Sequence, residues 1–479
     1  MIAKLGVNSI MKWLLLSVWI LLFIGGVANY TGSCLHYTVF SFVFLAMLIS
    51  GLYRQVSYGY LFLVAMLWLG FWLKLTVHLL IDYPFGEPIG FFDRTPVAWD
   101  NVLLSASVGS VGVILARFLY HFYKQPSSIL AQNSTFAVPS WYVNERCWIW
   151  AGLIFLCIFV ATINVLFGIQ QSGLVSNTIL LWPLNAVIYL LLASGFSFCV
   201  ATLLWWDIAL GRKVSKVVYF VLLEAFSSTI SILSRGTYIF HVIPQMFALY
   251  KNKELVFGWS RKNIILMTIV FVMLFAISNP IVNMMRAYLY SNNTQEITFA
   301  DSGISLGAFM KFSVDRWIGL EGVMAVSMYP LKGSDLFIEA MTEHGGVGKS
   351  TIYQEVCQAH YRFMNMSKFQ FASVPGAIAF LYFTGNLWAV AVGMIFLVFV
   401  LLLSESLIFR FTGNPLLSAL WGGVTANAVA QMGIAPRGLL FYFFELICGV
   451  MAIYFVQSEF FSKFLQRFFV FVNLKSQIK

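Results

Sequence analysis

The chain has 479 residues, of which 60% are hydrophobic, 17% aromatic and only 10% charged, with a mean hydropathy of +0.84. A water-soluble domain carries roughly 25% charged residues, so this composition excludes a soluble globular protein. The formal net charge of +10 then speaks for membrane topology, and no nucleic-acid partner is expected.

Crossing the hydrocarbon of a bilayer takes runs of about twenty apolar residues. Such runs fall at 13–30, 36–52, 59–81, 99–119, 147–168, 178–205, 217–234, 237–250, 263–281, 375–404, 414–432 and 438–457, the eighth being short. The first run reads as a span, since no small-residue cleavage site follows it. Lipid offers the backbone no hydrogen-bond partner, so each span is a helix or a barrel strand. Barrel strands alternate over about ten residues, and these segments do not. The predicted fold is all-α, a polytopic integral membrane helical bundle of about twelve transmembrane helices. Residues 1–281 supply nine spans, 282–374 form one large loop, 375–457 supply three more spans, and 458–479 form a tail.

Basic residues orient the bundle. With the N-terminus inside, the short inner loops hold Arg54, Arg117, Lys124, Arg146, Arg212, Lys213, Lys216, Lys251, Lys253, Arg261, Lys262 and Arg410. The short outer loops keep only Arg94, Arg235 and Arg437, and Lys74 falls near the outer end of the third span. This is the positive-inside pattern, from which long loops are exempt. Both termini are thus expected on the cytoplasmic side and the large loop outside. The six cysteines show neither metal-ligand spacing nor a disulfide framework, and leave a Cys34–Cys357 bridge open.

Arg235 follows Leu233-Ser234 and precedes Gly236 in the outer turn between the seventh and eighth spans. Arg437 lies in Pro436-Arg437-Gly438, between the eleventh and twelfth. A single arginine there is read equally well as snorkelling to the interface. Two such turns on one face, on the side where arginine is disfavoured, favour a functional reading. In the large loop, 306–328 reads as one helix closed by Tyr329-Pro330. On that helix Arg316 shares a face with Phe309, Phe312, Leu320 and Val323, while Lys311 and Asp315 pair on a wetter face. An arginine on an apolar stripe needs an anion. Either Glu321, Asp301 or another acid pairs with Arg316, or the site takes phosphate. Arg286, just past the ninth span, is a further member of the set or a membrane anchor.

A guanidinium fork matches phosphate oxygens in bidentate geometry and keeps its charge. Several forks on an outer face suit a lipid-linked pyrophosphate, whose departure they would assist. Other signals are weaker. Gly345-Gly346-Val347-Gly348-Lys349-Ser350 lacks the first glycine of a phosphate loop, Glu343 standing there. His78 and His241 read as packed residues, and Glu224 and Glu445 as helix–helix hydrogen-bonding groups, with ion coupling as the alternative.

The chain resembles the Wzy-type repeat-unit polymerases of O-antigen, capsule and exopolysaccharide synthesis, and more distantly the O-antigen ligases. The resemblance covers the architecture of spans and loop. At residue level it rests on Ser234-Arg235-Gly236 after a polar helix with Ser227, Ser228, Thr229 and Ser231, on Asp315-Arg316-Trp317, on Pro375-Gly376 and on Pro436-Arg437-Gly438.

The resemblance implies a GT-C-like enzyme of the bacterial inner membrane acting on undecaprenyl-pyrophosphate-linked oligosaccharide, without metal or other cofactor. A chain-length-regulating co-polymerase is an implied partner beside membrane lipid. A sugar hydroxyl of one repeat unit attacks C1 of the sugar on another lipid pyrophosphate. Arg235, Arg286, Arg316 and Arg437 would hold the pyrophosphate, with Glu321, His344 or His360 as candidate general bases, a periplasmic histidine being the ligase pattern. The competing class is a transporter or flippase of lipid-linked sugars, although no internal repeat of the transporter kind is visible.

Overall fold

The computed structural model describes residues 2–53, 57–123, 138–214, 217–254, 256, 260–290, 314–344, 349–360, 368–370, 373–432, 436–458, 460, 461 and 463. In chain order these form α1 (Ile2–Asn29), α2 (Cys34–Leu52), α3 (Tyr58–Ile81), α4 (Pro96–Tyr123), α5 (Ser140–Phe167), β1 (Gly173–Leu174), α6 (Leu184–Ala209), α7 (Val218–Ile232), α8 (Arg235–Lys251) and α9 (Arg261–Tyr290). After the described residues resume come α10 (Leu320–Ser327), α11 (Ser334–Thr342), α12 (Ile352–Val356), β2 (Phe369–Gln370), α13 (Ala377–Tyr382), α14 (Leu387–Thr412), α15 (Pro415–Gln431) and α16 (Pro436–Gln457).

The protein is helical, and eight of the described helices are long and apolar enough to cross a membrane: α2, α3, α4, α5, α6, α9, α14 and α16. The apolar part of α1 (Trp13–Asn29) and α7 are shorter. Helices α8 and α15 occupy the expected eighth and eleventh spans, at 17 residues each. Two large apolar cores hold the bundle, with a small third cluster of Cys157, Ala161, Leu192, Phe196 and Ile232 between α5, α6 and α7. One gathers α1–α4, α10, α13 and α14; the other gathers α5–α8, α15 and α16. Helix α15 touches both: its Leu416 to Trp421 half packs into the second core, and Val429 and Ala430 into the first. By contrast α9 turns most of its apolar surface outward, as a lipid-facing helix must.

Several expected boundaries move. The tenth span does not start at 375: α13 ends at Tyr382, Gly385 adopts a φ of +70°, and α14 starts afresh at Leu387. Asn386 causes the restart by accepting a hydrogen bond from the Trp388 N–H at 2.8 Å, which caps the new helix. The sixth span starts at Leu184 instead of 178, and both α3 and α6 contain a wide π turn, at Leu69–Leu73 and Leu191–Gly195. The helix expected over 306–328 is not continuous in its described part. Residues 314–317 are turn and bend, and α10 begins only at Leu320. Gly319, at φ +152°, is the reason, since it takes the chain through backbone conformation that side chains disfavour. All six cysteines are free, with Cys34 exposed and Cys357 buried, so the bridge left open between them is not formed.

Buried charges tie the helices at one end. Glu405 of α14 accepts hydrogen bonds from the Tyr58 and Gly59 amides at 2.8 and 2.7 Å and from the Ser57 hydroxyl at 2.5 Å. It thereby caps the N-terminus of α3 from another helix. Arg146 of α5 forks onto Asp207 of α6 at 2.6 and 2.7 Å. Removing Glu405 orphans two buried amides and a hydroxyl, so Glu405→Ala should cost about 3 kcal/mol. Thermal unfolding in detergent should register this as a lower apparent Tm, and an unchanged midpoint would mean the α3 terminus finds other partners.

Candidate functional site

At the other end of the bundle four helix termini converge: the C-termini of α3, α9 and α15 and the N-terminus of α8. They surround a cavity of about 1110 Å³, closed over by the loop after α3, by residues 315–319 with Glu321 and Gly322, and by Gln370, Ser373 and Val374. Pocket volumes for small ligands run to about 1,000 Å³, so this one is at the upper end of that range. The two short strands brace its rim. Gly173 and Gln370, which pair across them, both line the cavity, and the Ser172 amide is held by the Ile232 carbonyl at 2.8 Å.

Three of the four arginines singled out from the sequence line this space. Arg235 starts α8, Arg286 lies in the last turns of α9, and Arg316 lies in the turn before α10. Leu233 takes a left-handed conformation to end α7, and its carbonyl accepts from Nε and Nη2 of Arg286 at 2.9 and 2.5 Å. This contact fixes Arg286 beside the Arg235 turn. Gly236 lies against Arg316, whose Nη2 would be 3.2 Å from a Cβ at that position. The bare backbone of Gly236 therefore brings the guanidinium close to the start of α8. Ser234, the residue before α8, does not cap that helix with its side chain, which leaves the positive end of α8 facing the cavity.

Arg316 is accessible from the cavity yet enclosed by its walls. Burial, and then the neighbouring charge of Arg286, push its guanidinium below its usual range. Among the described residues no carboxylate pairs with Arg316 or Arg286. Glu321, one expected partner, is bound instead by Lys74 of α3, whose Nζ lies 2.7 and 2.9 Å from the two carboxylate oxygens. The same ammonium donates to the Asp315 carbonyl at 3.0 Å, and the pair is buried. Asp315, expected to pair with Lys311, meets His78 of α3 at 2.7 Å. Lys311 and Asp301 lie outside the described residues.

The remaining candidates lie elsewhere. Arg437, exposed at the start of α16, contacts Nε2 of the exposed His344, which accepts from its guanidinium. Neither residue lines the cavity, nor does the exposed His360. Tyr353 of α12 does line it, and burial together with nearby Cys357, Glu321 and Glu87 holds its phenol well above the usual range, so it is a donor at neutral pH. Within the bundle Glu224 bonds His241 at 3.0 Å and Ser228 at 2.9 Å, the helix–helix role anticipated for it.

Lys74 and His78 are neighbours of the site that sequence reasoning misses. Their signal is nevertheless present: two basic side chains at i and i+4 share one helical face, at the end of an otherwise apolar span. Their acidic partners Asp315 and Glu321 follow one another in the loop.

No protein-family model matches the chain, and no curated protein or solved structure is significantly similar to it.

Proposed function

We propose that this protein is a GT-C-like membrane glycosyltransferase of about twelve transmembrane helices, resembling the Wzy-type polymerases. It joins undecaprenyl-pyrophosphate-linked oligosaccharide repeat units into a surface polysaccharide at the periplasmic face of the bacterial inner membrane, with both termini in the cytoplasm. A chain-length-regulating co-polymerase is its expected partner. The observation that carries this reading is the meeting of Arg235, Arg286 and Arg316 with the start of α8 in one large cavity. The guanidinium groups gathered there repel one another, and an anion with several oxygens relieves that repulsion. A pyrophosphate provides those oxygens and gains charge as it leaves, so the same groups hold the ground state and favour the transition state more.

In the proposed reaction the acceptor sugar hydroxyl loses its proton as its oxygen bonds to C1 of the donor sugar. The C1–oxygen bond to the pyrophosphate breaks, and the electron pair departs on undecaprenyl pyrophosphate. The lipid-linked bond itself supplies the driving force.

Deleting the gene and separating the surface polysaccharide on a gel tests the proposal. The expected pattern is a single-repeat cap in place of a ladder. A full ladder retained on the lipid carrier would assign the protein as a ligase, and an unchanged pattern would overturn both.

A further inference from the structure

The proposed transfer needs a group to take the acceptor proton, and the three bases anticipated from the sequence are poorly placed for it. Glu321 faces the cavity, but both of its oxygens are held by the buried Lys74 ammonium. His344 spends Nε2 on Arg437, and neither His344 nor His360 reaches the cavity wall.

Asp315 lies on that wall, one residue before Arg316. Its Oδ1 lies 2.7 Å from His78 Nε2. His78 Nδ1 is 2.6 Å from the Tyr83 carbonyl, which can only accept, so Nδ1 carries a proton. The contact between Nε2 and Oδ1 holds the Asp315 carboxyl from one side and leaves Oδ2 outside that pairing. Phe85 stacks on the imidazole at 4.2 Å between centroids and locks its plane. The backbone of Asp315 is pinned as well, its carbonyl accepting from Lys74. Its second oxygen, Oδ2, rests over Gly86, where a Cβ would come within 2.9 Å, and Gly86 also lines the cavity.

We infer that Asp315 is the catalytic base that accepts the proton of the acceptor sugar hydroxyl, with His78 as its positioning residue; this rests on the glycosyl-transfer reading above. The hydroxyl proton passes to Asp315 Oδ2 while the hydroxyl oxygen forms its bond to C1 and the pyrophosphate leaves toward Arg316. Sequence neighbours thus serve the two ends of one displacement. Asp315 meets the nucleophile and Arg316 the leaving group. Tyr83, Phe85, Trp317 and Tyr353 give the adjoining wall the aromatic faces on which sugar rings stack.

The test separates turnover from binding. Asp315→Asn keeps the shape and the hydrogen bonds but removes the base, and a general base is worth about 10²–10⁴-fold. Returned to the deletion strain, it should cut polymer by about 100-fold or more. The purified full chain in detergent should still bind undecaprenyl pyrophosphate within about threefold of wild type, while Arg316→Ala should lose both polymer and binding. His78→Gln retains an N–H toward Asp315 and should keep roughly a tenth of the polymer; His78→Leu, without it, should keep roughly a hundredth. A normal ladder in Asp315→Asn would overturn the assignment, as would loss of binding alongside the polymer, or equal loss in the two His78 variants. If the wild-type gene restores no ladder and the wild-type protein binds no undecaprenyl pyrophosphate, the glycosyl-transfer reading itself fails, and the base assignment with it.

Discussion

Arg316→Ala is expected to abolish the polysaccharide ladder, with a loss of roughly 10³-fold in transfer, the scale seen when a preorganised charge is removed from a developing anion. Arg316 stands in the turn before α10, against Gly236 at the start of α8, and shares the cavity with Arg286 and Arg235. Because burial, and then the charge of Arg286, disfavour its ionised form, an anion between the two guanidinium groups relieves a cost built into the fold. Binding is therefore linked to folding: undecaprenyl pyrophosphate should raise the apparent Tm of the wild type and have little effect on the variant. Arg316→Lys keeps the charge but loses the planar fork, and should recover only part of the activity. Arg437→Ala is the informative comparison. Its guanidinium lies outside the cavity beside His344, so a loss of only about tenfold is expected. Equal loss in Arg437→Ala and Arg316→Ala would refute the cavity as the place where pyrophosphate is held.

Lys74→Met is expected to be the most destabilising substitution at this end of the bundle. Lys74 is fully buried and meets both oxygens of a nearly buried Glu321. Without the ammonium, Glu321 is left as an uncompensated buried carboxylate, which costs about 3–5 kcal/mol. The ion pair is also what docks the 315–322 segment onto α3, since the same Nζ holds the Asp315 carbonyl. Loss of the pair should therefore displace Asp315 and Arg316 together. Replacing both partners, with Lys74→Met and Glu321→Leu, removes the orphaned charge, and well-packed apolar replacements of buried ion pairs are near neutral or better. The double variant should therefore recover most of the apparent Tm in detergent. A single variant as stable as wild type would show that water reaches Glu321.

The membrane class, the helical fold and the end of the bundle on which arginines gather were legible because they depend on composition and on periodicity along the chain. Arg235, Arg286 and Arg316 stood out for the same reason: each is a charge where apolar neighbours make charge expensive. What misled was the stretch before α10. A glycine in a helical pattern costs only about 1 kcal/mol, so Gly319 did not interrupt the reading of 306–328 as one helix. Its φ of +152° in fact ends the turn that carries Arg316. The expected pairing of Arg316 with Glu321 failed with it, because a helical reading of one segment has no knowledge of α3, whose Lys74 holds that carboxylate. Lys74 and His78 lie 247 and 237 residues upstream of the carboxylates they bind.

By itself the sequence determined that this chain is a bundle of apolar helices with arginines at the ends of spans, since hydrophobic transfer and backbone hydrogen bonding act locally and leave a periodic signature. Only the tertiary structure decided which arginines share a cavity and which acids are already bound. Ion pairs between distant segments are set by packing, and whether a carboxylate faces an ammonium or an open cavity has no imprint on its neighbours in the chain.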